Sequence, residues 1–231
     1  MTWLKHSTGQ KAIILANSPE SYVKGHAHQL FVNGRLHLIY PEIHNQTRSP
    51  FNSPEWKSIP WSRISKSPKD KLVDILLEIP GLLEDLSLGL TDQTQTHHSL
   101  REQLQARCHL CDIQLRPSQV FNPSPEDFAI AHLSMIYWAT CSMLCQIMHR
   151  TADDDDTDPW LYCHKILLMV PFFQRPDMGA IFINFLGFPV GRVISFLTRQ
   201  VEPRTAELRE LLQKIFQNQH QGSQLRAFLE T

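Results

Sequence analysis

The sequence is short of most features by which a chain announces its chemistry. Charged residues make up 19% of its 231 positions, below the roughly 25% of ordinary globular domains. The signs nearly cancel, 22 basic against 23 acidic side chains, which excludes a global field that would draw in nucleic acid or anionic lipid. Nine glycines form no phosphate-cradling loop and no nucleophile elbow. Five cysteines are too few and too scattered for a disulfide scaffold. The opening "MTWLKHSTGQK" lacks a basic region followed by an apolar run, so no secretory signal is expected. A reduced, intracellular compartment is the expectation that follows. No lipidation signal, no fixed-period repeat and no alternating strand pattern is present.

What remains is helical periodicity. Trp3, Leu4, Ala12 and Leu15 fall on one face of a first helix. "NSPES" then breaks the pattern, with Ser18 in N-cap position before Pro19. Leu30, Phe31, Leu36, Leu38 and Ile39 suit a second helix. A polar connector rich in proline and serine, residues 45–70, carries Trp56 and Trp61; aromatic residues in such a loop pin it onto a core. Leu72, Ile75, Leu76 and Ile79 form an apolar stripe with Asp74 and Glu78 opposite. Pro80 should end or kink that helix, and Leu82, Leu83 and Leu86 continue its face. A polar, helix-compatible stretch follows, in which Leu100, Leu104 and Leu115 are the inward candidates. "PWLYCHKILLMVPFFQ" should end near Pro171. Leu208, Leu211, Leu212 and Ile215 mark a closing helix. The expected fold class is all-α, a single multi-helical globular domain over residues 1–231.

Four constellations invite a functional reading. "AHLSMIYWATCSMLCQIMHR" (Ala131 to Arg150) has the length and apolarity of a membrane span. His132, Ser134, Thr140, Ser142 and Gln146 are spread around it, however, and its flanks show no one-sided excess of basic residues. A buried core helix is the better account, with Cys141 and Cys145 as small buried hydrophobes. Cys108 and Cys111 form a C-x-x-C pair without the second pair a structural zinc site needs, so they read as incidental. His26 and His28, with His6 and His37, suggest a metal, but alternate positions fall on different sides of a helix. "DDDDTD" lacks the glycine and terminal glutamate of a calcium loop and reads as solvated acid. The residues therefore nominate no catalytic, cofactor-binding or metal-ligating position.

Several segments, taken in order, resemble the regulatory domain of fungal six-cysteine zinc-cluster transcription factors. Trp3, His6 and Gly9 match its W-x-x-H-x-x-G helix; Leu30, Phe31 and Arg35 match its LF-x-x-x-R helix. "PEWKSIPW" (Pro54 to Trp61) and "LVDILLEIPGLL" (Leu72 to Leu83) follow as they do in that family. "YWATCSMLC", "MGAIFINFLGFPVGRVISFL" and "ELRELLQKIF" resemble its later segments, so the likeness runs over nearly the whole chain. Two departures stand out. Asn17, Ser18 and Pro19 replace the family's arginine–glycine–proline turn. The zinc-cluster DNA-binding module, which needs six cysteines, is missing, and the domain looks truncated at its N-terminus.

The resemblance implies a soluble α-helical framework without catalytic residues. It implies a transcription-regulator-like protein acting on a fungal secondary-metabolite gene cluster without DNA contacts of its own. Its expected partners are a protein, either an intact zinc-cluster factor or a second copy of itself, and a small-molecule effector. No membrane is expected, and the location implied is nucleus or cytoplasm. The alternative reading is a stand-alone helical domain recruited as an enzyme or ligand-binding protein in a natural-product pathway. Buried apolar helices can enclose a pocket there, and histidines could move protons near neutral pH.

Overall fold

The computed structural model describes residues 2–89, 123–151, 158–175, 182–199 and 205–217, with a few isolated positions besides. The protein is all-α, and among the described residues there is no strand. Its helices gather into two compact units, Met1–Gln103 and Leu104–Thr231, taken here in turn. The polar stretch containing Leu100, Leu104, Cys108, Cys111 and Leu115 lies outside the described residues, as does the acidic run Asp153 to Asp156.

The first unit comprises α1 (Thr2–Leu15), α2 (Gly25–Asn45), α3 (Pro54–Ser58), α4 (Pro68–Leu76) and α5 (Ile79–Ser87). Three single turns of 3-10 helix, Pro19–Tyr22, Pro50–Asn52 and Ile59–Trp61, link them. A local rule explains where these pieces begin. Proline has no N–H to leave unsatisfied in a first turn, and a preceding serine can accept one of the orphaned amides. Ser-Pro starts the turns at Pro19 and Pro50 and the helices α3 and α4. Ser49 accepts from the Phe51 amide at 3.4 Å and Ser53 from the Trp56 amide at 3.5 Å. Ser67 goes further: its Oγ accepts from the Asp70 amide at 3.2 Å, and Asp70 accepts from the Ser67 amide at 3.0 Å, a reciprocal capping box. Ser18 occupies the expected position but makes no side-chain capping bond.

The serine- and proline-rich connector is thus largely helical, because each of its Ser-Pro pairs can start a turn. Its aromatics pin it as expected. Phe31 of α2, fully buried, is the hub. Its ring lies 5.4 Å from Tyr22, 5.9 Å from Phe51, 5.3 Å from Trp56 and 5.7 Å from Trp61. These separations suit tilted aromatic pairs.

The inward face of α1 differs from the expectation. Ala12 and Leu15 are exposed, whereas Ser7 and Ile14 are buried. Leu30 of α2 is likewise exposed, at 58%. The reason lies in α2, which carries Pro41 inside the helix. Proline cannot donate to the carbonyl four residues back, which is that of His37. The Ser7 hydroxyl donates to this carbonyl at 2.8 Å. A polar residue is therefore drawn inward to complete the backbone of α2. Lys11 of α1 reaches buried Glu42 of α2 at 2.6 Å. Gly34 lets the helices approach: a Cβ there would meet Gln10 Nε2 at 2.7 Å. The break expected at Pro80 is present, with α4 ending at Leu76 and Pro80 in the first turn of α5.

The second unit holds α6 (Pro125–Thr151), α7 (Pro159–Phe173), α8 (Phe182–Arg199) and α9 (Thr205–Gln217). Ser124, the fifth Ser-Pro serine, forms with Asp127 the same reciprocal pair as Ser67 with Asp70, at 3.2 and 2.8 Å. Asp158 caps α7 by accepting from the Trp160 amide at 2.9 Å. α6 packs on α7 and α8, and α9 on α7. Helix α7 ends at Phe173, two residues past Pro171 and close to the expected end.

The Pro125–Met148 part of α6 is long and apolar enough to cross a membrane, yet 67% of that stretch is buried within the fold. Ala131, Met135, Ile136 and Ala139 are fully buried. Two of its internal hydroxyls are satisfied locally, Ser134 donating to the Ile130 carbonyl at 2.9 Å and Thr140 to that of Ile136 at 2.8 Å. That is how an apolar helix hides polar side chains without a partner helix. The core-helix expectation holds.

Candidate functional site

Two places gather polar side chains beside apolar ones. The first is in the first unit. Arg35 is 1% exposed, and burying a guanidinium demands counter-charge. Its Nη2 donates to Asp74 of α4, and Asp70 lies 3.9 Å from Nη1. The Arg35 guanidinium carbon lies 4.4 Å from the Trp61 ring centre, and the Lys66 ammonium 4.9 Å from it. Lys66 pairs with Asp74 as well. Burial pulls the Arg35 pKa down, against the opposing pull of Asp74 and Asp70. Burial also lowers that of Lys69, which the charge of Arg35 reinforces. Each charge faces a partner of this chain, so the cluster ties α2, α4 and the Trp61 turn together. Arg35, Trp61 and Asp74 thus serve as framework of this unit.

The histidines separate as alternate spacing requires: His26 is exposed and His28 is buried. His28 Nδ1 lies 2.9 Å from the Tyr22 carbonyl, and its ring meets Trp61 edge-on at 6.0 Å. His37 sits elsewhere on α2, where burial and then Lys69 lower its pKa below the ordinary 6.5. The side chain of His6 lies outside the described part. Among the described residues, no three His, Cys, Asp or Glu side chains converge on a point that could hold a metal ion. Cys141, Cys145 and Cys163 are buried thiols. Burial pushes the Cys163 thiol up, although a contact with Ser142 Oγ at 3.5 Å opposes this. A buried, protonated thiol is a poor nucleophile.

The second place is a cleft of about 540 Å³ in the second unit, between the C-terminal part of α8 and α9. Ile194, Leu197 and Thr198 form one wall; Arg209, Leu212, Gln213, Phe216 and Gln217 form the other, with Arg226 beside them. The closing helix explains its shape. Leu208 and Ile215 are buried against the core, whereas Leu211 and Leu212 are only half-buried. Leu211, Leu212 and Phe216 pack against the edge of that core, and Leu212 and Phe216 also line the cleft. Arg209 Nη2 donates to the Leu197 carbonyl at 2.5 Å, in the last turn of α8, where a helix end favours positive charge. Another arginine, Arg192, is 8% exposed and bonds Gln146 of α6 and, at 3.4 Å, Ser195. That contact fixes α8, and with it one wall.

Sequence reasoning did not single out this cleft. "ELRELLQKIF" shows the apolar stripe, whose spacing is that of an ordinary one-sided helix. Compared with protein-family models, with curated proteins and with solved structures, the chain matches none of them.

Proposed function

We propose that the protein is a transcription-regulator-like protein of the kind its ordered motifs suggest. It acts on a fungal secondary-metabolite gene cluster through protein or small-molecule contacts and not by touching DNA itself. The observation that carries the reading is the α8–α9 cleft. It has the volume of a ligand pocket, and its described lining contains arginine, amide, hydroxyl and apolar groups but no carboxylate, histidine or cysteine. Such a lining suits binding. The near-neutral charge of the chain supports the absence of DNA contacts, since phosphate binding rests on clustered Lys and Arg. Residence in the nucleus, or in the cytoplasm until a partner carries the chain inward, follows from the same reading.

The test is co-purification of the tagged full-length chain from its host. An intact zinc-cluster factor, or a second copy of the chain bridging to one, is expected among the bound proteins. Turnover of a host metabolite by the purified chain would overturn the reading in favour of a pathway enzyme.

A further inference from the structure

We propose that Ser67 is a phosphorylation site, read by a proline-directed serine kinase that favours basic flanking residues. The assignment concerns the first unit and does not depend on the regulator reading. Proline has no N–H, so a kinase that leaves no acceptor for the residue after its serine takes Ser-Pro, and one that expects a donor there rejects it. The chain offers five such serines, and the fold sorts them. Ser49 is 4% exposed, Ser53 and Ser124 are half-buried, and Ser18 and Ser67 are exposed. Charge then separates the last two. Ser18 is followed by Glu20, whereas Ser67 stands among Arg63, Lys66, Lys69 and Lys71, with Asp70 the one acid in that stretch. The approach is open as well. Residues 62–67 form a non-helical connection between the Trp61 turn and α4, and Arg63, Ile64, Ser65 and Pro68 are exposed along with Ser67. Ser67 itself is extended, at φ −68° and ψ 165°, a form in which a substrate segment can lie along a kinase cleft. Its hydroxyl is engaged with Asp70 in the first turn of α4, and helix ends open at little cost.

The kinase transfers the γ-phosphoryl group of ATP. The bond from Ser67 Oγ to phosphorus forms, the bond from that phosphorus to the oxygen bridging the β-phosphate breaks, and ADP leaves. The hydroxyl proton passes to the kinase's carboxylate base. Phosphoserine carries about −1.5 to −2 charges at pH 7. Its ester oxygen has no proton left for Asp70 Oδ2, which the hydroxyl meets at 2.7 Å. The modification thus exchanges one half of the capping box for an anion flanked by lysines.

Phosphopeptide mapping by mass spectrometry of the full-length chain, recovered from its host under phosphatase inhibition, tests the proposal. The expected result is phosphate on Ser67. The purified, folded chain, incubated with ATP and a kinase of the cyclin-dependent class, should take up phosphate at the same serine ahead of Ser18 and the three less exposed ones. Ser67→Ala should lose this phosphate. Because that change also removes a helix cap, Pro68→Ala is the second variant. It keeps the hydroxyl and should lose most of the phosphate, while a retained thermal unfolding transition shows that it folds. Ser67 unmodified in the host, labelling spread evenly over the five serines of the folded chain, or undiminished labelling of Pro68→Ala would each overturn the proposal.

Discussion

At the scale of single residues, the first unit depends on polar groups that sit inside because another residue obliges them to. Ser7 is buried since Pro41 leaves the His37 carbonyl without its helical donor. Ser7→Ala should therefore destabilise the unit by about 1–3 kcal/mol, the cost of a buried acceptor left unsatisfied. In a Pro41→Ala background the helical donor returns, so the same change should cost measurably less. Urea unfolding of the two single variants and the double variant reads this coupling directly. Arg35 gives a second case. Asp74→Ala should cost about 3–5 kcal/mol by leaving a buried guanidinium without its main counter-charge. Arg35→Met removes the charge and keeps much of the volume, so it should cost less; the reverse order in urea would contradict the account. His37 supplies the pH dependence. Its folded-state pKa is depressed by burial and by Lys69, so below the ordinary 6.5 the unfolded chain takes up a proton that the folded chain resists. The stability tied to neutral His37 is thus full above that value and is lost as pH falls below it. His37→Gln should flatten the fall in unfolding free energy between about pH 6.5 and pH 5.

Among the elements, helix starts prove to be written in the sequence as Ser-Pro. Of the five such pairs, four accept a first-turn amide, and two of those, at Ser67 and Ser124, form full capping boxes. Ser67→Ala should cost about 1 kcal/mol, and Ser18→Ala, which removes no capping bond, should be close to neutral. Thermal unfolding of the pair checks the contrast. At the other end of α2 the signal is weaker. Gln46 closes the helix at φ 53°, a left-handed conformation that glycine adopts without a Cβ penalty. Gln46→Gly should therefore stabilise the unit, by about 1 kcal/mol, or leave it unchanged at worst.

These examples also show where the sequence is legible. Helical period located α2, α4 and α9, and Pro80 marked the break between α4 and α5, because local sterics decide those features. The buried fate of "YWATCSMLC" was readable from its scattered hydroxyls. The face of α1 was not: Ile14 and Leu15 are equally apolar, and only the carbonyl freed by Pro41, a contact thirty residues away in sequence, turns Ser7 inward. The cleft was hidden for a similar reason. That Leu211 and Leu212 stay half-buried depends on how far α8 extends over α9, which no local pattern states.

At the scale of the molecule, the chain has two helical units, with an arginine-bearing cleft in the second. Among the described residues, Cys141, Cys145 and Cys163 are buried, burial pushes the Cys163 thiol up, and His26 and His28 occupy opposite sides of α2. On the proposed reading, the protein changes the activity of other proteins.

Deletion of the gene, followed by transcript sequencing and metabolite profiling of the same cultures, tests that claim most directly. The account predicts a coordinated change in the transcripts of one set of biosynthetic genes, restored when the full-length chain is returned. Unchanged transcripts with accumulation of a pathway intermediate would contradict it and mark the protein as an enzyme.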